Sequence, residues 1–198
     1  VLGGAERVLS RVANGLATRG HEVTVFTFSP PDATAHYPMH PHIRIANLGL
    51  AGESGGLLAA LGANLRRVRT IRQELRSLRP QALVSFMDAT NVLCLLASRG
   101  LAIPVVVAEH IDPSHHDIGP LWTFLRQHTY PLAASVLMLT SGLDAYFPKS
   151  IRKRCEVMPN PIEADCSGPC HLPLRGRCIV GLGRLSPQKG FDVLLHAF

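Results

Sequence analysis

The chain has 198 residues, of which 46% are hydrophobic and 17% are charged, and its formal net charge is +6. This composition is typical of a globular protein with a substantial core, and the length accommodates one domain and part of a second. No apolar run reaches the roughly 18 to 20 residues that cross a bilayer, so the sequence predicts no membrane-spanning helix.

Short apolar runs of strand length alternate with stretches of helical spacing. The predicted strands lie at residues 22–28, 43–48, 82–86, 103–108 and 135–139. The predicted helices lie at residues 5–18, 57–78, 90–98, 121–130 and 142–147. The last three strands are almost continuously apolar, as strands covered on both faces are. This steady alternation predicts an α/β fold with a doubly wound parallel sheet.

The predicted helix at residues 57–78 and the residue after it carry much of the excess positive charge. On a helical wheel, one stripe within about 80° contains four arginines: Arg69, Arg72, Arg76 and Arg79. A basic stripe beside an apolar one can lie against anionic lipid, so these four arginines are predicted to face a membrane. A solvated face whose apolar side packs on the sheet is an equally favoured alternative. No aromatic residues interleave with the arginines, which argues against nucleic acid as a partner.

The composition changes after residue 148, where prolines become frequent. We expect a first domain at residues 1–158, without its first strand, and a linker at residues 159–177. A second domain is expected to begin at residue 178 with a strand at 178–182 and a helix at 191–198. The chain is interpreted as part of a longer protein.

Five cysteines show no framework spacing: Cys94, Cys155, Cys166, Cys170 and Cys178. Three of them lie near His171, which raises the question of a zinc site. Zinc knuckles use paired C-x2-C hooks, whereas the spacing here is C-x3-C with a lone third cysteine. Free thiols and no bound metal are therefore the favoured prediction.

Two strand-to-helix junctions contain glycines that suit close approach of a ligand. Gly3 and Gly4 stand directly before the first predicted helix, whose free N–H groups can bind an anion. Arg184 and Lys189 follow the predicted strand at 178–182, and their converging charges suit a diphosphate. A tight turn and ordinary surface cations are the structural alternatives. Neither a dinucleotide fingerprint nor a P-loop motif occurs.

Three segments resemble glycosyltransferase family 4 in order and spacing. They are GGAERVLSRVANGLATRGHEVTVFT, VMPNPI and VGLGRLSPQKGFDVLLHAF. The resemblance implies a GT-B fold, in which two Rossmann-like domains face each other across a cleft. It also implies a retaining transfer of sugar from a nucleoside-diphosphate sugar to a hydroxyl of a lipid-linked saccharide or envelope polysaccharide precursor, without a metal or another cofactor.

The resemblance also implies roles for single residues. Arg184 and Lys189 would bind the donor diphosphate, and His110 would be the catalytic residue that contacts the donor sugar. Gly3, Gly4 and Glu109 would line the cleft. A two-histidine metal site with Asp112 is the less favoured alternative, because GT-B enzymes generally do not depend on a bound metal. The protein is expected in the cytoplasm, where it can lie against the inner membrane face.

One part of the family pattern is missing. The family carries two glutamates eight positions apart in its second domain, where they hold the donor sugar and ribose, and no such pair occurs here. Residues 1–198 are therefore expected to be inactive alone. A Rossmann-like binding module or truncated remnant is the alternative from another class, and a sugar-nucleotide epimerase is a less favoured one.

Overall fold

The computed structural model describes residues 3–52, 55–114, 116–161, 179–183, 185 and 189–198. The chain divides into two compact units, Val1–Pro161 and Ile162–Phe198, which are taken separately below. The expected linker at residues 159–177 lies almost wholly outside the described residues, so the domain boundaries stay predictions.

The first unit alternates helices and strands along the chain. Its helices are α1 (Gly4–Thr18), α2 (Leu57–Leu78), α3 (Asp88–Ser98), α4 (Pro120–Thr129) and α5 (Lys149–Arg152). Its strands are β1 (Thr24–Thr27), β2 (Arg44–Asn47), β3 (Leu83–Phe86), β4 (Val105–Ala108), β5 (Ser135–Met138) and β6 (Cys155–Val157). Short 3-10 turns follow at Tyr130–Leu132 and Leu143–Tyr146. The sequence did not predict β6, and the helix predicted at 142–147 is one of these 3-10 turns.

The strands form two parallel sheets. β1 pairs with β2, and a four-stranded sheet has the order β3-β4-β5-β6. In the larger sheet Val84 lies opposite Val106, and Val107 lies opposite Val136. Parallel pairing of successive strands requires a crossover between them, and in the larger sheet each crossover contains a helix. The α/β class with parallel sheets is therefore confirmed.

The core of the four-stranded sheet is almost completely excluded from solvent. Its members come from α3, β4, β5 and the segments after α4: Val92, Leu95, Val105, Val107, Tyr130, Ala133, Val136, Met138, Phe147 and Ile151. A second cluster packs α2 on α3 through Ile71, Leu75, Leu93, Cys94 and Ala97. Burial raises the pKa of the Cys94 thiol to about 12, so this cysteine is an inert core residue.

Helix α1 covers the two-stranded sheet. Its buried residues Ala13 and Ala17 pack with Ile43, and Val23 and Val25 lie beside them. The helix ends where Gly20 adopts φ +85, and the Gly20 N–H donates to the carbonyl of Ala17. Glycine is favoured at this C-terminal position because it has no side chain to clash in the left-handed conformation.

The second unit contains helix α6 (Phe191–Ala197), which begins after Gly190 at φ +62. A strand was predicted at 178–182, but the described residues 179–183 form none; that prediction is wrong for them, and residue 178 is outside the described chain. A Cβ at Gly181 would lie 2.9 Å from Cε1 of Phe191, and one at Gly183 would lie 3.2 Å from its Cε2. Glycine at both positions lets the Phe191 ring lie directly on the backbone.

In the described part of the chain, no helix combines the length and hydropathy needed to span a membrane.

Candidate active site

His110 lies just beyond the carboxyl end of β4, where open α/β sheets bind ligands. Its ring stacks on Phe86 at the end of β3, with centroids 5.2 Å apart and planes inclined by 16°. The next residue after Phe86 is Met87, which has φ 74, a strained conformation for a residue with a side chain. The chain therefore leaves β3 in a sharp turn beside the stacked pair.

Both ring nitrogens of His110 are shielded from solvent, and neither makes a hydrogen bond of good geometry to a described residue, although the side chain of Asn160 lies close to the ring. Burial lowers the pKa of His110, and the nearby side chain of Asn160 opposes this shift. The imidazole is therefore neutral at neutral pH, with one nitrogen able to donate and the other able to accept. A buried polar group without a partner costs free energy, and a bound ligand is one way to satisfy it.

Glu109 precedes His110 and is only 4% exposed. One carboxyl oxygen accepts a hydrogen bond from the hydroxyl of Tyr130. Burial raises the pKa of Glu109 from 4.5 to about 7, while the Tyr130 hydrogen bond and the positive charge of Arg126 act in the opposite direction. The carboxyl group therefore changes ionisation near neutral pH.

Arg126 on α4 is a buried cation, 1% exposed. One guanidinium nitrogen donates to the hydroxyl of Tyr146 at 2.7 Å, and the guanidinium carbon lies 5.1 Å from the centre of that ring. Its Nε is buried without a partner among the described residues. A buried guanidinium close to a buried carboxyl group offsets part of the cost of removing both from water.

A pocket of about 440 Å³ opens between the β4–α4 segment and the turn after β5. Its lining residues carry hydroxyl, carboxylate, imidazole and aromatic groups: Pro113, Ser114, His116, Asp117, Thr123 and Tyr146. Nε2 of His116 lies 3.2 Å from a carboxylate oxygen of Asp88 at the start of α3. A mixture of polar groups with one aromatic face can bind the hydroxyls and the apolar faces of a sugar.

Three helices of the first unit have a carboxylate of their own at the N-terminal end. The N–H of Gly3 donates to Glu6 at 3.0 Å, and the N–H of Ala89 donates to Asp88 at 2.6 Å. The N–H of Gly119, directly before α4, donates to Asp117 at 2.7 Å. These carboxylates occupy donors that could otherwise bind an anion and oppose its negative charge.

Gly3 and Gly4 lie at the start of α1, as predicted, and neither has positive φ. A Cβ at Gly4 would meet nothing within 4 Å, and one at Gly3 would approach only the Glu6 carboxylate, at 3.9 Å. Neither conformation nor internal packing explains glycine at these positions. Close approach of a ligand remains the predicted reason.

The residues predicted to bind the diphosphate belong to the second unit. Lys189 is exposed and lies next to Gly190, at the start of α6. Arg184 lies outside the described residues. Their predicted role therefore stays a prediction, and so does the predicted absence of a metal. In the described ranges no three His, Cys, Asp or Glu side chains gather as metal ligands, and the cysteines at 166–178 lie outside those ranges.

The basic stripe on α2 is not uniform. Arg69, Arg76 and Arg79 are exposed, but the guanidinium of Arg72 donates to the carbonyls of Ala97 and Arg99 at 2.8 and 2.7 Å. Arg72 therefore satisfies the C-terminal carbonyls of α3. The three other arginines do not take part in this contact with the end of α3.

The apolar side of α2 differs from the prediction in its first half. Ile71 and Leu75 are buried, whereas Leu58 is 85% exposed and Leu61 and Leu65 are each 49% exposed. On a helical wheel with 100° per residue, the three exposed leucines fall within the same sector of about 80° as the four arginines. One face of α2 therefore exposes leucines in its N-terminal half and arginines in its C-terminal half.

Sequence reasoning missed the buried polar residues near Glu109. Tyr130 and Arg126 act on its carboxyl group directly, and Asn91 and Ser85 connect to it through Tyr130. Ser85 could have been suspected, because it lies near the carboxyl end of β3, the edge of the sheet where His110 lies, and Asn91 follows in the first turn of α3. Arg126 and Tyr130 stand inside an apolar helical pattern about 20 residues from Glu109. Nothing in their spacing indicates that they fold back onto β4.

The family model for Glycosyltransferase Family 4 matches residues 2–165. The chain belongs to this family. A relative, the GalNAc-alpha-(1->4)-GalNAc-alpha-(1->3)-diNAcBac-PP-undecaprenol alpha-1,4-N-acetyl-D-galactosaminyltransferase of Campylobacter jejuni, is 28% identical over 160 residues, which is 80% of this chain and 43% of the relative.

Among solved structures, the chain is similar to the crystal structure of MurG from Acinetobacter baumannii. The TM-score is 0.49 at 18% identity, over 84% of this chain and 45% of the MurG chain. The chain therefore spans less than half the length of the relatives that it matches here.

Proposed function

We propose that the complete protein containing this chain is a retaining glycosyltransferase that moves a sugar from a nucleoside-diphosphate donor to a hydroxyl of a lipid-linked saccharide. The observation that supports this best is the position of His110, a neutral imidazole with shielded nitrogens at the carboxyl edge of the sheet. In a family 4 transferase this histidine would hydrogen-bond the donor sugar, and a neutral imidazole has one nitrogen that donates to a hydroxyl and one that accepts from it.

The donor diphosphate is assigned to Arg184 and Lys189 of the second unit. The carboxylates of Glu6, Asp88 and Asp117 at the helix starts support this division, because they make the first unit unfavourable for a diphosphate. Two cations converging on the leaving group would stabilise the negative charge that develops as the glycosidic bond breaks.

The acceptor saccharide is assigned to the pocket that contains His116, Asp117 and Tyr146. Its hydroxyl, carboxylate and imidazole groups can accept hydrogen bonds from sugar hydroxyls, and the tyrosine ring can lie against the apolar face of a pyranose. The name of the Campylobacter relative specifies a saccharide on undecaprenol diphosphate, which supports a lipid-linked acceptor here.

The membrane partner is assigned to the exposed face of α2. Leu58, Leu61 and Leu65 supply apolar surface, and Arg69, Arg76 and Arg79 supply charge for anionic headgroups. Arg72 is left out of this surface because its guanidinium is bound to α3. This face of α2 would thus lie against the cytoplasmic surface of the membrane.

The transfer reaction is tested with the complete protein, radiolabelled nucleoside-diphosphate sugars and polyprenyl-diphosphate saccharides. We expect transfer with retained anomeric configuration, and the variant His110→Ala should lose about 100-fold or more in kcat. The matched control is His21→Ala, which removes an exposed histidine in the turn after α1. Equal activity of wild type and His110→Ala would remove His110 from the active site, and an inverted product would contradict the retaining mechanism.

Residues 1–198 tested alone are expected to show no transfer, because the glutamate pair that holds donor in this family does not occur in them. The same donors and acceptors are used for both forms of the protein. Measurable transfer by residues 1–198 would overturn this expectation.

The membrane surface is tested by co-sedimentation with phosphatidylcholine vesicles, with and without phosphatidylglycerol. Replacing Arg69, Arg76 and Arg79 by glutamine should weaken binding to the anionic vesicles by about 100-fold, because each cation near the surface contributes roughly 1 kcal/mol. The charge-matched control replaces Arg44, Lys153 and Arg154, which are exposed outside α2. Equal loss in both triple variants would contradict a specific role for α2.

A further inference from the structure

A chain of buried hydrogen bonds runs beneath His110. The hydroxyl of Ser85 donates to Oδ1 of Asn91 at 2.7 Å, and Nδ2 of Asn91 donates to the hydroxyl of Tyr130 at 3.1 Å. Tyr130 in turn donates to the carboxyl group of Glu109. None of the four side chains is more than 4% exposed. They link the end of β3, the start of α3, the segment after α4 and the end of β4.

This chain holds the backbone that leads to His110. Nδ2 of Asn91 also donates to the carbonyl of Ala108 at 3.1 Å, and the N–H of Met87 donates to the same carbonyl at 3.3 Å. The N–H of Glu109 donates to Leu137 on β5 at 2.9 Å. Both residues before His110 are therefore fixed, one through its carbonyl and the other through its amide and its side chain.

Stability alone does not explain this arrangement. The surrounding residues are apolar and closely packed, among them Val92, Val107 and Val136. Burying a carboxyl group and an amide in such a core costs free energy that an apolar side chain would not incur, even when every group is paired. Fully satisfied polar networks do, however, specify one geometry, which a site for chemistry requires.

We propose that Tyr130, together with Asn91 and Glu109, positions His110 for sugar transfer. These are positioning residues, since they act through the backbone at 108–109 and the imidazole makes the contact with substrate. The inference rests on the proposed function, because it assigns supporting residues to the histidine of the same site. Misplacing a catalytic group by about 1 Å can reduce the reaction rate by about 100-fold, so residues that hold His110 in place can strongly affect kcat.

The ionisation of Glu109 provides a signature of this role. The groups that face it are Tyr130, Arg126 on α4 and Asp88 on α3, and His110 is its neighbour in the chain. Tyr130 and Arg126 favour the ionised carboxylate, whereas burial and Asp88 oppose it. The carboxylate accepts the Tyr130 hydrogen bond more strongly than the neutral acid does. We therefore expect kcat to rise with pH through about 7, the pKa of Glu109.

The first experiment compares Tyr130→Phe with Thr129→Val in the complete protein. Each substitution removes one buried hydroxyl from adjacent residues, but that of Thr129 only donates to the carbonyl of Leu125. Tyr130→Phe should lower kcat by about 10-fold or more and change the donor KM less than about threefold, since His110 is misplaced and not removed. Thr129→Val should retain the wild-type kcat. Equal kcat in the two variants would overturn the proposal.

The second experiment uses Glu109, with Glu109→Ala removing the acceptor and Glu109→Gln keeping its shape and one acceptor oxygen. Glu109→Gln should recover most of the kcat lost in Glu109→Ala and should abolish the rise of kcat with pH through about 7. If Glu109→Ala does not fold, Glu109→Gln alone still tests the pH dependence. A wild-type pH dependence that persists in Glu109→Gln would overturn the role of Glu109.

A third measurement separates this proposal from the proposed function. The imidazole resonances of His110 are assigned in NMR spectra by their loss in His110→Gln. Tyr130→Phe should shift these resonances and their titration, while Thr129→Val should not. If the His110 resonances shift in Tyr130→Phe but the wild type transfers no sugar, the proposed function is overturned while the link between Tyr130 and His110 stands. Unchanged His110 resonances in Tyr130→Phe would overturn the positioning role even if transfer occurs.

Discussion

The two parallel sheets of the first unit are made of strands of similar length but are buried very differently. Along β4 and β5 every second side chain or more is buried, and Val107 and Val136 have no exposed surface. Along β1 and β2 every residue is half-buried or exposed. The described candidate site, with His110 and Glu109, belongs to the better buried sheet.

The difference shows what the site requires of its support. Two strands under one helix enclose a small core, whereas four strands under several helices exclude water from a larger one. Only the second environment can shield both nitrogens of His110 and raise the pKa of Glu109. The two-stranded region instead positions the start of α1, where a ligand is predicted to approach the backbone and therefore needs open space.

The largest expected effect concerns the buried carboxyl group of the four-stranded region. Glu109 has pKa about 7 in the folded protein and 4.5 as an ordinary glutamate. Between these values the folded state holds the proton that the unfolded state has released, so the free energy of unfolding falls as pH rises and levels off above 7. The expected fall is on the order of 3 kcal/mol. Glu109→Gln should abolish it.

Urea denaturation of wild type and Glu109→Gln at pH 5, 6, 7 and 8 measures this difference. His110 has a lowered pKa, which contributes a change of opposite sign below its ordinary pKa of 6.5. Because His110 is present in both proteins, its contribution cancels in the comparison. If the difference in unfolding free energy between the two proteins is the same at all four pH values, the pKa of Glu109 is not raised by burial.

A matched pair of valines compares the two sheets directly. Val107→Ala in β4 removes a completely buried side chain and should cost about 2–3 kcal/mol of unfolding free energy. Val25→Ala in β1 removes a half-buried side chain and should cost about 1 kcal/mol. Chemical denaturation of the two variants measures both values. Equal costs would mean that the sheets contribute alike to stability.

The smallest expected effect on stability is that of Gly4→Ala at the start of α1. Alanine favours the helix and meets nothing within 4 Å, so stability should rise by about 0.5 kcal/mol. If a ligand approaches the backbone there, sugar transfer should nevertheless fall. The control is Gly15→Ala in the same helix, where only the end of the Arg19 side chain must move. Thermal unfolding and kcat/KM are measured together, and unchanged kcat/KM in Gly4→Ala would remove this glycine from the cleft.

The fold class followed directly from the pattern, since continuous apolar runs separated by helical spacing leave few arrangements besides a parallel sheet. The helix predicted at 57–78 matches α2, and the strands predicted at 82–86 and 135–139 contain β3 and β5. The short β6, which contains Cys155 and Glu156, escaped prediction because its half-buried and exposed residues show no apolar run. Its pairing with β5 depends on tertiary structure.

The sequence predicts only those features of the candidate site that depend on residues adjacent in the chain. The resemblance to the family and a position at the end of an apolar strand predicted Glu109 and His110 as site residues. The lowered pKa of His110, in contrast, depends on burial, which comes from folding. Arg72 shows the same limit in reverse: its place on the wheel predicts a membrane contact, whereas its guanidinium binds the end of α3. Spacing alone does not show which of four equivalent arginines a neighbouring helix uses.

The carboxylates at the starts of α1, α3 and α4 have a consequence for the substrates that the proposed enzyme can accept. A helix start usually provides about half a positive charge, but Glu6, Asp88 and Asp117 cancel it here. The terminal sugar of the acceptor should therefore be uncharged, and a uronic acid or phosphosugar at that position should compete poorly. On a lipid-linked acceptor, the diphosphate should also lie away from the starts of these helices. The saccharide between the diphosphate and the terminal sugar would then need a minimum length to be extended.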